Sequence, residues 1–286
     1  MRPDFELIKQ LFQQHGFPVG RGKELPLDKV RGKKGVQNGA LGKIALEKGD
    51  YETAIAHFKL AVEQSDAKSP WALMDLGAAY AITGNVPQAF RQYEKAKRIQ
   101  KSGELMIAMA ALYQQIGRQN EAILRLKESV ELEPENAFHH YKLAEALRRA
   151  GFRREALNAA QVAIACAADQ AFYHYWLGEY LLELENYEEA QDALHAAIEL
   201  SPGDDNLYFL ASQAFWGQGK KTEAARSIRH ASDIDTGNLF YVGLLELYLR
   251  STGLIAEADQ ESRRTSKMAP YDREMLRRVS RRFNLG

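Results

Sequence analysis

Apolar and small residues recur along this chain three and four positions apart, which puts each set on one face of a helix. The sets come in pairs, and from residue 103 onward the pairs return every 34 residues. Ala122, Ala156, Ala190, Ala224 and Ala258 fall in one column, and Ser129, Ala163, Ala197, Ala231 and Thr265 in another. A third column holds Gly117, Gly151, Glu185, Gly219 and Gly253, and a fourth Pro134, Ala168, Pro202, Thr236 and Pro270. Five repeats therefore start at 103, 137, 171, 205 and 239. Two earlier ones start at 35 and 70 with one-residue slips.

Each column has a physical task. Within a repeat, positions 4, 7, 8 and 11 form one apolar face and positions 20, 24 and 27 a second. Position 15, usually Gly, supplies the left-handed cap that ends the first helix. Small residues at 8, 20 and 27 let two helices approach closely, and Pro at 32 is expected to end the second helix. Such a hairpin cannot bury its apolar face alone, so the repeats must stack into an all-α solenoid.

This pattern resembles the tetratricopeptide repeat (TPR), a 34-residue helix–turn–helix. Residues 171–204 carry it most fully, with Leu177-Gly178, Leu181, Asn186-Tyr187, Ala190, Leu194, Ala197 and Pro202. Asp75 before Leu76-Gly77, Ala211-Ser212 in the sixth repeat and Leu245-Glu246 in the seventh depart from it. The resemblance implies a right-handed superhelical solenoid of seven hairpins over 35–272 (35–69, 70–102, 103–136, 137–170, 171–204, 205–238 and 239–272). It also implies a scaffold for other proteins, although an architecture names no partner.

The ends differ. Residues 273–286 read as a C-terminal capping helix, with Leu276, Val279 and Phe283 on one face and five arginines on the other. Arg277-Arg278-Val279-Ser280 also suits a basic-directed kinase. Residues 1–34 read as a short amphipathic helix at 4–15, with Phe5, Ile8, Leu11 and Phe12 on one side, and a basic, Gly-rich irregular stretch at 16–39. That stretch is either a linker to a docking helix or a basic arm that folds on a partner. It is not a phosphate loop: the first Gly position is Phe17 and Glu24 follows Lys23. Asp4, Glu6 and Lys9 interrupt any secretory core, and no apolar run is long enough to span a membrane, so a cytoplasmic protein is expected.

No catalytic constellation emerges. His140 and His174 share position 4 of neighbouring repeats, where a packed, hydrogen-bonded imidazole is expected rather than a metal ligand. Cys166 is read as a small buried hydrophobe. No Ser or Cys pairs with a His in any recognisable motif, and no cofactor or metal is expected.

Positions 2, 5, 9 and 12 run beside the packed face of each first helix, and in the family that face lines the groove. Here they supply an aromatic-rich stripe. The candidate partner-binding residues are Trp71, Met74, Ile107, Phe138, Tyr141, Arg148, Phe172, Tyr175, Glu179, Phe209, Gln213 and Trp216. The position-2 aromatics either line the groove or fill the seam between repeats. Position 5 is expected to lie off the packed face and to need a ligand. The Lys and Asn with which some family members clamp a peptide carboxylate are missing: Met74/Ala78, Ile107/Ala111 and Tyr141/Glu145 stand there instead.

Charge sharpens this reading. The 38 Lys and Arg balance 38 Asp and Glu, which weighs against a general nucleic-acid binder. Yet residues 131–240 carry a net charge of −9, and 171–204 hold eight acids and no Lys or Arg. These acids are solvated outer faces or a lure for a basic partner segment. The sequence thus points to a non-enzymatic scaffold that grips an apolar or aromatic peptide or helix. The rival readings are an RNA-associated protein acting through its basic termini and a regulatory subunit of an enzyme acting in trans, and self-association through the groove stays open.

Overall fold

The structure, a computed structural model, describes residues 34–65, 69–266 and 268–282. Among them lie fifteen α-helices and no strand: α1 (Lys34–Glu47), α2 (Tyr51–Gln64), α3 (Pro70–Ile82), α4 (Val86–Ile99), α5 (Gly103–Gln115), α6 (Gln119–Leu132), α7 (Ala137–Arg149), α8 (Arg153–Cys166), α9 (Ala171–Glu183), α10 (Tyr187–Leu200), α11 (Asp205–Gly217), α12 (Lys221–Ile234), α13 (Leu239–Ser251), α14 (Ile255–Thr265) and α15 (Pro270–Arg282). The fold is an all-α helical repeat. The helix expected at 4–15 lies outside the described residues, as do residues 16–33. Residues 34–39, read from sequence as irregular, instead open α1. Their glycines are useful there: a Cβ on Gly35 would stand 3.0 Å from Ser65 N at the end of α2, so packing outweighs poor helix propensity.

The chain forms two compact units, residues 1–156 and 157–286. In the first, α1/α2, α3/α4 and α5/α6 are hairpins, and α2/α3, α4/α5 and α6/α7 join them into a stack. In the second, α9/α10, α11/α12 and α13/α14 are hairpins, joined through α10/α11 and α12/α13, and α15 packs on α13.

The columns read in the sequence do physical work. Position 20, always Ala, is fully buried from Ala54 to Ala258. Position 8 meets position 24 across each hairpin so closely that a Cβ on Gly77 would lie 2.5 Å from the Tyr93 ring, and one on Gly178 2.6 Å from Leu194 Cγ. First helices end in a left-handed residue at position 15, as at Gly84 and Gly219 (φ 76° each). Glu185 takes the same region (φ 60°) without being glycine. Several helices open on a side-chain cap: Asp50 Oδ1 accepts from Thr53 N–H (3.1 Å) and Ser102 Oγ from Leu105 N–H (3.3 Å).

Pro270 does not follow its column. It begins α15 rather than only ending the seventh repeat, because a first-turn residue needs no N–H partner. The cap therefore starts three residues before the expected 273. Leu276 and Val279 pack against the cluster of Tyr241, Leu244, Leu245 and Tyr248, and Arg273, Arg277, Arg278 and Arg281 are exposed. Phe283 lies outside the described residues. No described helix is long and apolar enough to cross a membrane.

Candidate interaction surface

In the first unit, packing divides the candidate residues. Trp71 opens α3 and is 37% exposed. Phe138, also at position 2, is partly buried with its ring centroid 6.1 Å from that of Tyr141. The position-5 residues Met74, Ile107 and Tyr141 are buried, contrary to expectation. Met74 belongs to one core cluster with Leu105 and Met106, which open the first helix of the next repeat. Position 5 thus faces the seam between successive first helices. Arg148 is partly buried late in α7.

The second unit shows the same seam with larger side chains. Phe209 lies 5.5 Å from Phe240 and 5.7 Å from Tyr241, centroid to centroid, across to the following repeat. Tyr175 and Phe209 both pack on the core around Leu181, Leu194 and Leu210, yet both stay partly open. Phe172, at position 2, meets Tyr173 edge to face at 5.4 Å. Trp216 stacks on Tyr248 (4.4 Å, 8°) and carries Lys221 Nζ 5.3 Å from its ring centroid. Glu179 is partly buried, and Gln213 is buried outright. Leu177, at position 7, is only partly buried, so it is a weaker core residue than its column suggested.

Several polar side chains that break the apolar columns are hydrogen-bonded. Ser129 stands where most repeats hold Ala. Its hydroxyl donates to Gly103 O (3.0 Å) and lies 3.0 Å from His139 Nδ1, whose Nε2 is 3.8 Å from Glu133 Oε2. This Ser–His–carboxylate set was missed from sequence, although a hydroxyl in an alanine column was the available signal. Ser129 and His139 are both fully buried, so no substrate reaches them. At position 4, His140 Nε2 sits 2.8 Å from Pro134 O and His174 Nε2 3.1 Å from Ala168 O, and Tyr208 OH donates to Pro202 O (3.3 Å). One contact recurs in three repeats, joining each first helix to the loop before it. Among the described residues no cluster of His, Cys, Asp or Glu could hold a metal ion. Cys166, expected to be buried, is exposed at the last position of α8.

Two carboxylates feel their surroundings strongly. Asp75, on α3, is nearly enclosed, and burial pushes its carboxyl up to about 6 although Lys43 Nζ lies 3.7 Å away. Glu145 goes the other way. Burial opposes ionisation, but Lys142 and Arg149 (2.5 Å each) hold its carboxyl below the usual range.

Residues 40–104 and 171–204 each match a family model described as a tetratricopeptide repeat. No curated protein matches the chain. Among solved structures, the C-terminal part of a TPR repeat-containing protein from Cytophaga hutchinsonii aligns with a TM-score of 0.65 at 14% identity, over 82% of this chain and 97% of that one. Pseudomonas aeruginosa pilF aligns with 0.57 at 17%, over 76% and 97%. MamA of Desulfovibrio magneticus RS-1 aligns with 0.52 at 20%, over 58% and 94%. At these identities the likeness carries the fold alone. Together with the two matched stretches, it makes this chain a tetratricopeptide-repeat protein.

Proposed function

We propose that this tetratricopeptide-repeat scaffold for protein–protein interaction grips an apolar or aromatic peptide or helix through the open edges of its first-helix seams. The anchors are Phe172, Tyr175, Phe209 and Trp216 in the second unit, with Trp71 and Phe138 serving the first unit separately. The observation that carries this reading is the partial exposure of Tyr175 and Phe209. Aromatic rings left partly open in a first-helix seam are suited to be hot spots. Met74, Ile107, Tyr141 and Gln213 support these anchors from the core rather than touching a partner. Glu183, Glu188, Glu189 and Asp192 of the same unit are exposed, and their charge favours a partner with a basic segment. Tetratricopeptide-repeat proteins are generally non-enzymatic, and this reading assigns no catalysis, cofactor or metal.

The test is affinity capture from the native host, followed by titration of the purified partner against Tyr175→Ala and Leu194→Ala. Tyr175→Ala is expected to weaken binding by roughly 1–3 kcal/mol with a minor loss of thermal stability, and Leu194→Ala to do the reverse. A partner held equally well by Tyr175→Ala and Phe209→Ala would overturn the anchor assignment. Capture of the chain by itself would move the reading to self-association.

A further inference from the structure

The first described helix has an apolar face that its counterparts bury. Leu41 and Ile44 occupy positions 7 and 10 of the first repeat and are each 39% exposed. In α3 the same positions hold Leu76 and Ala79, and in α5 Met109 and Leu112, all four buried. The difference is what precedes them: α2 packs on α3, and α4 on α5. Val36, 49% exposed, and Ala40, partly buried, extend the open face, which spans about 140° of α1 at 100° per residue and also carries the exposed Gln37 and Glu47. The opposite side of α1 is fully engaged with α2. A Cβ on Gly42 would lie 2.6 Å from the Phe58 ring, and Asn38 bonds both Gln64 and His57.

We infer that residues 4–15 of this same chain cover that face, taking the place that a preceding second helix would fill. Residues 1–33 lie outside the described structure, and their place in the chain is directly before α1. Phe5, Ile8, Leu11 and Phe12 are spaced three, three and one apart on one side of 4–15, as one helical stripe requires, and Leu7 flanks them. The tether fits as well. Residues 16–33 number 18, and a Gly-rich coil of that length spans about 23 Å. The 14 residues of α1 are about 21 Å long. A segment from the same chain therefore competes at a high effective concentration against any external occupant. The inference concerns the end of the first unit and stands apart from the partner surface proposed above.

Hydrogen exchange of the full chain tests it. With Phe5, Ile8, Leu11 and Phe12 all changed to Ser, amides of residues 37–47 should exchange at least about tenfold faster, while those of α5 and α6 stay unchanged. The reciprocal variant, Leu41→Ser with Ile44→Ser, should speed exchange within residues 4–15. Sedimentation of the unaltered chain should give a monomer whose α1 protection does not change with concentration. Equal α1 exchange with and without the four apolar residues would overturn the inference. So would protection that grows with protein concentration, which would assign the face to a second copy. Loss of protection throughout α1–α6 in the fourfold variant would also count against it, since a docked segment would then be holding more than this face.

Discussion

The two units use one column differently. In the first, position 5 holds Met74, Ile107 and Tyr141, and all three are buried. In the second it holds Tyr175 and Phe209, which reach the same seam and leave ring edges open. The helical register is shared, and size alone does not set the difference: Met74 and Ile107 fit beneath the next first helix and the ring of Tyr141 is buried too, whereas Tyr175 and Phe209 stay partly open. Turns and polar interiors differ as well. The first unit has glycine at every left-handed turn but encloses Asp75 and the Ser129–His139 pair. The second buries Ser212, Gln213, Ser227 and Ser232 and puts Glu185 where glycine belongs. Stability and the proposed recognition therefore draw on the same positions.

The comparison breaks most visibly at Ile107. Ile107→Ala removes a side chain with 2% exposure and should destabilise the protein by about 2–5 kcal/mol. Tyr175→Ala, in the same column of the second unit, should cost nearer 1 kcal/mol because part of its ring already meets water. Urea midpoints read by circular dichroism decide the matter. Equal losses would mean that the second seam is as closed as the first.

The buried charge of the first unit comes next. Asp75 faces Lys43 from α1 and the buried Tyr93 from α4. Its folded carboxyl is raised from 3.8 to about 6, so the folded state holds its proton more tightly than the unfolded state does. Stability therefore falls as pH rises from about 4 to about 6, and stays level above that. A two-unit shift is of order 2–3 kcal/mol. Asp75→Asn should raise the melting temperature at pH 7.5 and change it little at pH 3.5. Identical shifts at both pH values would show that Asp75 is not held protonated by its burial.

Much of this was legible in the residues themselves. A period of 34 with alanine at position 20 and glycine at 15 leaves one physical solution, and the hairpins follow it. Position 5 was misjudged because helical periodicity describes one helix at a time. It shows the face turned to the partner helix of the same hairpin, but not the face that the next repeat covers. Cys166 was misplaced because its column is open in other repeats as well, at Ile99, Leu132, Leu200 and Ile234. Ser129 and His139 each looked like a stray polar residue until packing set them side by side. The recurring contact of His140, His174 and Tyr208 with the preceding loop was half visible as a polar column, but its acceptors are backbone carbonyls that side-chain chemistry does not announce.

The smallest effect tests the second unit's one irregular turn. Every other residue of the position-15 column is glycine, and each adopts a positive φ; Glu185 does the same at 60° with a Cβ that crowds its own backbone. An L-residue in this region costs about 1–2 kcal/mol relative to glycine, and glycine returns part of that through greater freedom in the unfolded chain. Glu185→Gly should therefore stabilise the protein by roughly 1 kcal/mol, a rise of a few degrees in melting temperature for a chain of this size. Glu185 is exposed, so the change removes no core contact. It also takes one acid from the most acidic repeat, so Glu185→Gln serves as the control: it keeps the strain while removing the charge. Stabilisation by Gly and not by Gln would locate the cost in the backbone. Equal stabilisation by both would locate it in charge repulsion, and the second unit's turns would then be as relaxed as those of the first.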